Sequence, residues 1–346
     1  MRLSLVLGSG GARGYAHIGV IEELKARGHE IVAISGCSIG ALVGGLEAAG
    51  GLDDFTDWAK KLTQLQVLRM LDFTLGEAGF VKADRVIEEV NGFCRGARIE
   101  DLAIPFTAVA SDITARREVW FQEGLLANAI RASIAIPGVI TPVRMQGHLL
   151  VDGGVCNPVP MEPTLSVPSD ATVAVSLAGG TPVVEPRWAL ANSDEVQTEG
   201  TIASWVSRGF EELMQSETVR SLQARIARGQ GHGHGAHTAP ADGASPVDGT
   251  AGSDVSSPAA PTITDLPGSA DLIQRGRSDI STTELAQQAI GTMQAMIERY
   301  RAAANPAQVR ITIPYTSGGT LDFHRANELI ELGREMAGEA FDRAGI

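Results

Sequence analysis

The five residues Gly36-Cys37-Ser38-Ile39-Gly40 constrain this chain more than any other segment. They follow an apolar run at 31–34 and precede a small-residue helical pattern at 41–49. Strand, sharp turn and helix form the setting of a Gly-x-Ser-x-Gly elbow, in which a strained serine lifts its hydroxyl clear of a sheet. The flanking glycines leave room for the crowded turn. The helix behind directs its free N–H groups at the place where an oxyanion would form. Glycine is abundant, 40 of 346 residues, so the bare five-letter pattern carries little weight. Its setting makes a nucleophilic Ser38 the leading reading, with a buried helix N-cap as the bland one.

Two other segments add chemistry. In Leu5-Val6-Leu7-Gly8-Ser9-Gly10-Gly11-Ala12-Arg13-Gly14 a short apolar strand runs into a glycine turn and then a helical pattern. Such a loop bares backbone N–H groups at a helix start, where an anion or a transient oxyanion is favoured. In Leu149-Leu150-Val151-Asp152-Gly153-Gly154 an aspartate ends an apolar strand, where a base can face a neighbouring strand end. Asp242-Gly243-Ala244 imitates this pattern but has no strand before it to hold it in place.

A chain of 346 residues, 44% apolar, can bury a substantial core as one large or two modest domains. No apolar stretch approaches the ~18 residues of a membrane span. The first residues run straight into the glycine-loop strand, which a cleaved signal peptide would remove, so the expected location is cytoplasmic. Net charge of −13 argues against nucleic acid as a partner and against long-range attraction to anionic lipid. A local apolar rim would still allow peripheral membrane contact. Cys37, Cys94 and Cys156 are an odd number without metal-ligand spacing, which fits reduced thiols. Cys37 reads as core filler. The reading calls for no metal and no cofactor.

Along the chain, strand, helix, strand, helix over the first fifty residues predicts parallel strands with right-handed crossovers. Residues 52–80 are rich in large apolar side chains, read as helices packed on the core or as a lid or acyl-binding wall beside Ser38. A helix is expected at 82–94, β-rich runs at 105–113 and 118–121, a helix at 125–134, a hairpin at 143–151 delivering Asp152, and a buried strand at 173–177. Further helices are expected at 198–228, 283–300 and 321–341, with a strand at 309–313. From 229 to 274 there is no Lys or Arg but five aspartates. Residues 229–267 are Gly/His/Ala/Pro/Ser-rich and read as a disordered insertion. Its His232, His234 and His237 could hold a metal only loosely. The domain reading is therefore 1–228, an insertion at 229–267, and a segment at 268–346 completing the first domain.

The three segments, in this order, resemble the patatin-like phospholipases, in particular their compact bacterial members. The family's G-G-G-x-R/K-G loop matches Ser9-Gly10-Gly11-Ala12-Arg13-Gly14, with Ser9 in place of the first glycine. Its G-x-S-x-G matches 36–40, and its D-G-A/G matches Asp152-Gly153-Gly154. Ala108-Val109-Ala110-Ser111-Asp112, Arg131-Ala132-Ser133-Ile134-Ala135-Ile136-Pro137-Gly138 and Thr320-Leu321-Asp322-Phe323 also look like it. The resemblance covers residues 1–180 and, more weakly, those after 305. It implies an α/β fold, a three-layer α/β/α sandwich with a mostly parallel central sheet, and a serine acyl hydrolase acting on a lipid or small ester. It further implies a Ser–Asp dyad without histidine: Ser38 as nucleophile, Asp152 as proton acceptor, and an oxyanion hole at Gly10 and Gly11, with Arg13 adding positive charge. A normal aspartate is a feeble base at neutral pH, so the site should be partly dry to raise the Asp152 pKa. Asp112, at a strand end, reads equally as a site-shaping residue and as a structural turn.

Three rivals remain. Ser38, Asp152 and His324 occur in the chain order of an ordinary α/β-hydrolase triad, although His324 falls at a helix start. A dinucleotide site fails its own pattern, because G-x-G-x-x-G counted from Gly8 ends on Arg13 and no acidic residue ends the second strand. A regulatory protein with little turnover would keep the fold and lose the reactivity of Ser38. Head group, chain length, hydrolysis versus transacylation and oligomeric state are not written in these motifs.

Overall fold

Leu3, Leu5 and Leu7 alternate with Ser4 and Val6, and this period of two shapes β1 (Arg2–Leu7). A computed structural model describes residues 1–70, 81–179 and 282–346. Among them β1 lies inside an eight-stranded sheet. The other strands are β2 (Glu30–Cys37), β3 (Phe106–Asp112), β4 (Arg117–Phe121), β5 (Val143–Met145), β6 (His148–Asp152), β7 (Ala171–Gly179) and β8 (Val309–Pro314). Hydrogen-bonded neighbours run β5-β6-β3-β2-β1-β7-β8, and β4 also pairs with β3. The ladder from β3 to β8 is parallel, whereas β4, β5 and β6 pair antiparallel. Helices flank this mixed, mostly parallel sheet, giving the expected three-layer α/β/α architecture.

The helices are α1 (Ala16–Ala26), α2 (Ile39–Ala48), α3 (Leu52–Ala59), α4 (Gln64–Met70), α5 (Asp84–Cys94), α6 (Leu126–Ser133), α7 (Thr282–Ala304) and α8 (Ala326–Ala344). One face of the sheet carries the large side chains. Leu3, Leu5, Leu7, Phe106, Val173, Val175, Ile311 and Ile313 are buried there in the main core with residues of α1, α2 and α8. A one-residue bulge keeps β2 in phase with that face. Leu3 pairs with Ile31 and Ser4 with Ala33, which leaves Val32 unpaired, so Ile31 and Ile34 both enter the core although they are three apart.

The opposite face is made of small or polar buried side chains: Ser4, Val6, Ser35, Thr107, Ala174 and Ser176. The chain that follows Asp152 covers it, with Met161 and Val159 packing on Val6 and Ala174. Ser35 donates its hydroxyl to the Pro160 carbonyl. α7 is tied to the same side by Arg301, which bonds Glu162 at 2.8 Å and Glu118 at 3.3 Å, and by the Glu298–Arg310 pair.

Most expected elements appear within a residue or two of their predicted ends. At 321–341 the helix begins later than expected. Asp322 accepts the Gly319 N–H at 2.8 Å and a 3-10 turn (Phe323–Arg325) intervenes before α8. In the apolar segment after residue 51, Phe55 is buried and stacks near Trp58 and Phe93, so that part packs on the core. Residues 71–80, the expected helix at 198–228 and the insertion at 229–267 lie outside the described residues. Among the described residues, no helix is long and apolar enough to cross a membrane.

Candidate active site

The pairing register brings two strand ends together. Ala108 of β3 pairs with Gly36 on one edge and Phe121 on the other, and Ala110 pairs with Asp152 and Val119. Since β4 takes one edge of β3 throughout, β2 and β6 must share the other. β2 arrives there in parallel and stops at Cys37, opposite Val109, while β6 arrives antiparallel and stops at Asp152, opposite Ala110. The two chains therefore point their C-terminal ends at each other across a single step of β3. Ser38 and Asp152 leave the sheet at this seam.

Ser38 has φ 57° and ψ −123°, a strained conformation for a residue with a side chain. Its surroundings hold it there. The Ser38 N–H donates to the Ser133 hydroxyl at 2.8 Å, and that hydroxyl donates onward to the Val109 carbonyl at 2.6 Å. The Ser38 carbonyl accepts from Ala41 and Leu42 in the first turn of α2. Both motif glycines are required by close approach. A Cβ on Gly36 would meet the Gly40 oxygen at 2.3 Å, and one on Gly40 would meet the Leu7 oxygen at 2.1 Å.

The Ser38 hydroxyl lies close enough to the Asp152 carboxyl to favour its ionised form. Asp152 Oδ1 accepts the Gly154 N–H at 2.7 Å, with the Cys37 thiol at 3.7 Å. Ser38 and Asp152 are 3% and 4% exposed. Burial pushes the Asp152 pKa up to about 6, against the opposing pull of Ser38, Gly154 and Cys37. Burial, and the neighbouring Asp152, push the Cys37 thiol well above its ordinary value, so Cys37 stays a neutral neighbour.

In the glycine loop, Gly8 N–H donates to Val175, Ser9 N–H to Pro158 and Ala12 N–H to Thr320. The Gly10 and Gly11 amides have no such partner among the described residues. They stand at the N-cap and first position of a 3-10 turn (Gly11–Tyr15), ahead of its own hydrogen bonds. Gly11 has φ +59°, and a Cβ there would meet the Thr320 oxygen at 2.5 Å, so only glycine fits. His17, fully buried and driven down to about 4 by that burial, is a neutral donor to the Gly8 carbonyl at 2.8 Å. The loop adjoins the elbow, because Gly8 and Leu7 carbonyls abut Gly40.

Arg13 takes a different direction from the one the sequence suggests. Its guanidinium is committed to the C-terminal segment, bonding the Gly318 carbonyl at 2.9 Å and lying 4.4 Å from the Tyr315 ring centre. There it fastens the segment whose Thr320 braces Gly11 and Ala12. Asp112 is occupied by its own turn, accepting the Thr114 and Ala115 N–H groups and His148. His324 lies in the 3-10 turn before α8 and makes no described contact with Ser38 or Asp152. Sequence reasoning did not single out Ser133 or His17, and marked Ser9 only as a departure from the loop pattern. The stretch holding Ser133 was visible, but nothing local marks which of its residues reaches the elbow.

These features have counterparts in known proteins. The patatin-like phospholipase family matches residues 5–165. An uncharacterised NTE family protein of Mycobacterium tuberculosis (strain ATCC 25618 / H37Rv) is 41% identical over 341 residues, covering 99% of this chain and 91% of its own. Patatin-like phospholipase domain-containing protein 6 of Homo sapiens is 32% identical over 182 residues, 51% of this chain and 13% of its own. Lysophospholipase NTE1 of Cryptococcus neoformans var. neoformans serotype D (strain JEC21 / ATCC MYA-565) is 34% identical over 170 residues, 47% of this chain and 10% of its own.

Proposed function

The chain belongs to the NTE family of patatin-like phospholipases and is a lipid ester hydrolase, and from that premise we propose that Ser38 and Asp152 form its catalytic dyad. Ser38 attacks the ester carbonyl as its proton passes to Asp152. The Gly10 and Gly11 amides receive the oxyanion, each well-aimed donor contributing roughly 3 kcal/mol. Asp152 then returns the proton to the leaving alcohol, and afterwards takes one from the water that attacks the acyl group and hands it to Ser38 Oγ as the acid leaves. Arg13 serves this cycle as a positioning residue, through the C-terminal segment.

The observation that carries the reading is the meeting of the β2 and β6 ends on β3, which sets Ser38 beside a buried Asp152 whose pKa is pushed up to about 6, a base strength suited to neutral pH. The substrate class we assign is a phospholipid or lysophospholipid, supported by the lysophospholipase name of the fungal relative. We place the enzyme in the cytoplasm, since all three cysteines are free thiols. Peripheral contact with a zwitterionic lipid surface is assigned to α7, which exposes Leu285, Met293, Met296 and Tyr300 on one side.

An ester and phospholipid panel on wild type, Ser38→Ala and Asp152→Asn tests the dyad. Ester cleavage at the normal rate by either variant sinks it, and loss of turnover in His324→Ala would instead restore the triad. Flotation with phosphatidylcholine vesicles tests the surface: Met293→Glu with Met296→Glu should abolish co-flotation.

A further inference from the structure

α7 enters the site from far along the chain. Its Glu298 pairs with Arg310 of β8, and Arg301 with Glu118 and Glu162, which fixes how the helix is turned about its axis. Gln294 lies one turn before Glu298 on the same side of the helix. The space above Gly154 shows where it points: a Cβ built there would meet Ser9 Oγ at 2.8 Å, Gln294 Nε2 at 2.9 Å and Asp152 Oδ1 at 3.0 Å. Two polar atoms from separate segments, Ser9 Oγ and Gln294 Nε2, thus stand beside the carboxyl group, each at most about 6 Å from Asp152 Oδ1. The Gln294 side chain has no hydrogen-bond partner among the described residues. Ser9 adds a hydroxyl to a loop whose neighbouring positions are glycines, and that hydroxyl lies close enough to Cys37 to favour its ionised form.

We propose that Gln294 is a positioning residue of the hydrolytic reaction, its side-chain amide and the Ser9 hydroxyl forming a neutral polar wall that steadies the ionised Asp152. The inference rests on Asp152 being the base. An ionised carboxylate in a dry site needs donors, and Gly154 and Cys37 supply them only on Oδ1. The titratable groups nearby are the thiols of Cys37, at the end of β2, and Cys156, just past the turn that follows Asp152. α7 contributes Glu298 and Arg301, both already in ion pairs. Asp152 is shifted by burial and by the neutral Ser38, Gly154 and Cys37, with no charged side chain among them.

The test is the acid limb of kcat/KM for a water-soluble short-chain ester, measured for Gln294→Lys, Gln294→Met and Gln294→Glu. The midpoint should follow the charge placed there, lowest for Lys and highest for Glu, with Gln294→Glu raising it by roughly one pH unit. Gln288→Glu, on an exposed turn of the same helix, should leave it in place. Equal midpoints across the Gln294 series, in variants that melt like wild type, would overturn the proposal, as would an equal shift from Gln288→Glu. Should a Gln294 variant fold poorly, Ser9→Ala provides the second reading, expected to raise the midpoint by a few tenths of a unit; no change there also counts against the wall. Asp152→Asn runs alongside. If it retains turnover, the dyad itself fails, and that result is distinct from an unmoved limb in an enzyme that needs Asp152.

Discussion

The two faces of the central sheet follow opposite rules. On one, Leu3, Leu5, Leu7, Phe106, Val173 and Ile311 project bulk into helices α1, α2 and α8. On the other, Ser4, Ser35, Ala174 and Ser176 keep low, so that the chain after Asp152 lies close against the strands. The first arrangement maximises buried apolar area, the main driving term in folding. The second minimises distance and lets strand hydroxyls reach the covering chain, as in the bond from Ser35 to Pro160. The difference teaches where stability and reactivity are held. Ser38 leaves the sheet into the helix layer and Asp152 leaves it under the thin layer, so the proposed dyad stands where the two meet.

The largest expected effect lies at that junction. Ser38→Ala and Asp152→Asn should each lower turnover by at least about 10³-fold while retaining the native circular dichroism spectrum. Next comes the contrast between faces. Ser35→Leu should lower kcat/KM by about 10²-fold, because bulk on the thin face moves the chain carrying Asp152. Leu5→Ala should cost about 2–5 kcal/mol in denaturant titrations and change turnover per folded molecule less than threefold. If Leu5→Ala proves the more damaging to kcat/KM, the division between faces is wrong.

Ser133→Ala removes the partner of the Ser38 N–H and should cost about tenfold in kcat with little change in KM, since the elbow loses its brace. The pH dependence is of similar size. As the proposed base, Asp152 must be ionised, so kcat/KM should fall about tenfold per pH unit below its pKa of about 6 and level off above it. Stability moves the other way. The folded-state value is raised above the unfolded one near 3.9, so the folded protein holds that proton more tightly. Stability is then lost as pH rises from about 4 to 6, by up to roughly 3 kcal/mol. Asp152→Asn should therefore melt above wild type at pH 8 and level with it at pH 4. A lower melt at pH 8 would mean that the carboxylate is held by more than neutral bonds.

The elbow was legible because its constraints are local. Gly36 and Gly40 are needed within five residues of each other, and the apolar run before them and the helix after them are neighbours in the chain. Asp152 was legible as a strand end followed by two glycines. The opposite directions of β2 and β6 were not, nor was the bulge at Val32 that lets Ile31 and Ile34 share a face. Arg13 shows the limit most clearly, since its motif suggested a charge for the oxyanion and its partners lie three hundred residues on, at Tyr315 and Gly318.

By itself the sequence determined the strand alternation, the strained turn at Ser38 and the amides left bare at Gly10 and Gly11, all of which follow from steric and hydrogen-bonding rules acting over a few residues. Only the tertiary structure decided that β2 and β6 abut on one edge of β3, that Ser133 reaches the elbow, and that α7 turns Gln294 toward Asp152. Those depend on register and packing between segments far apart in the chain, where one hydrogen bond or one buried side chain selects among arrangements that local preference leaves equal.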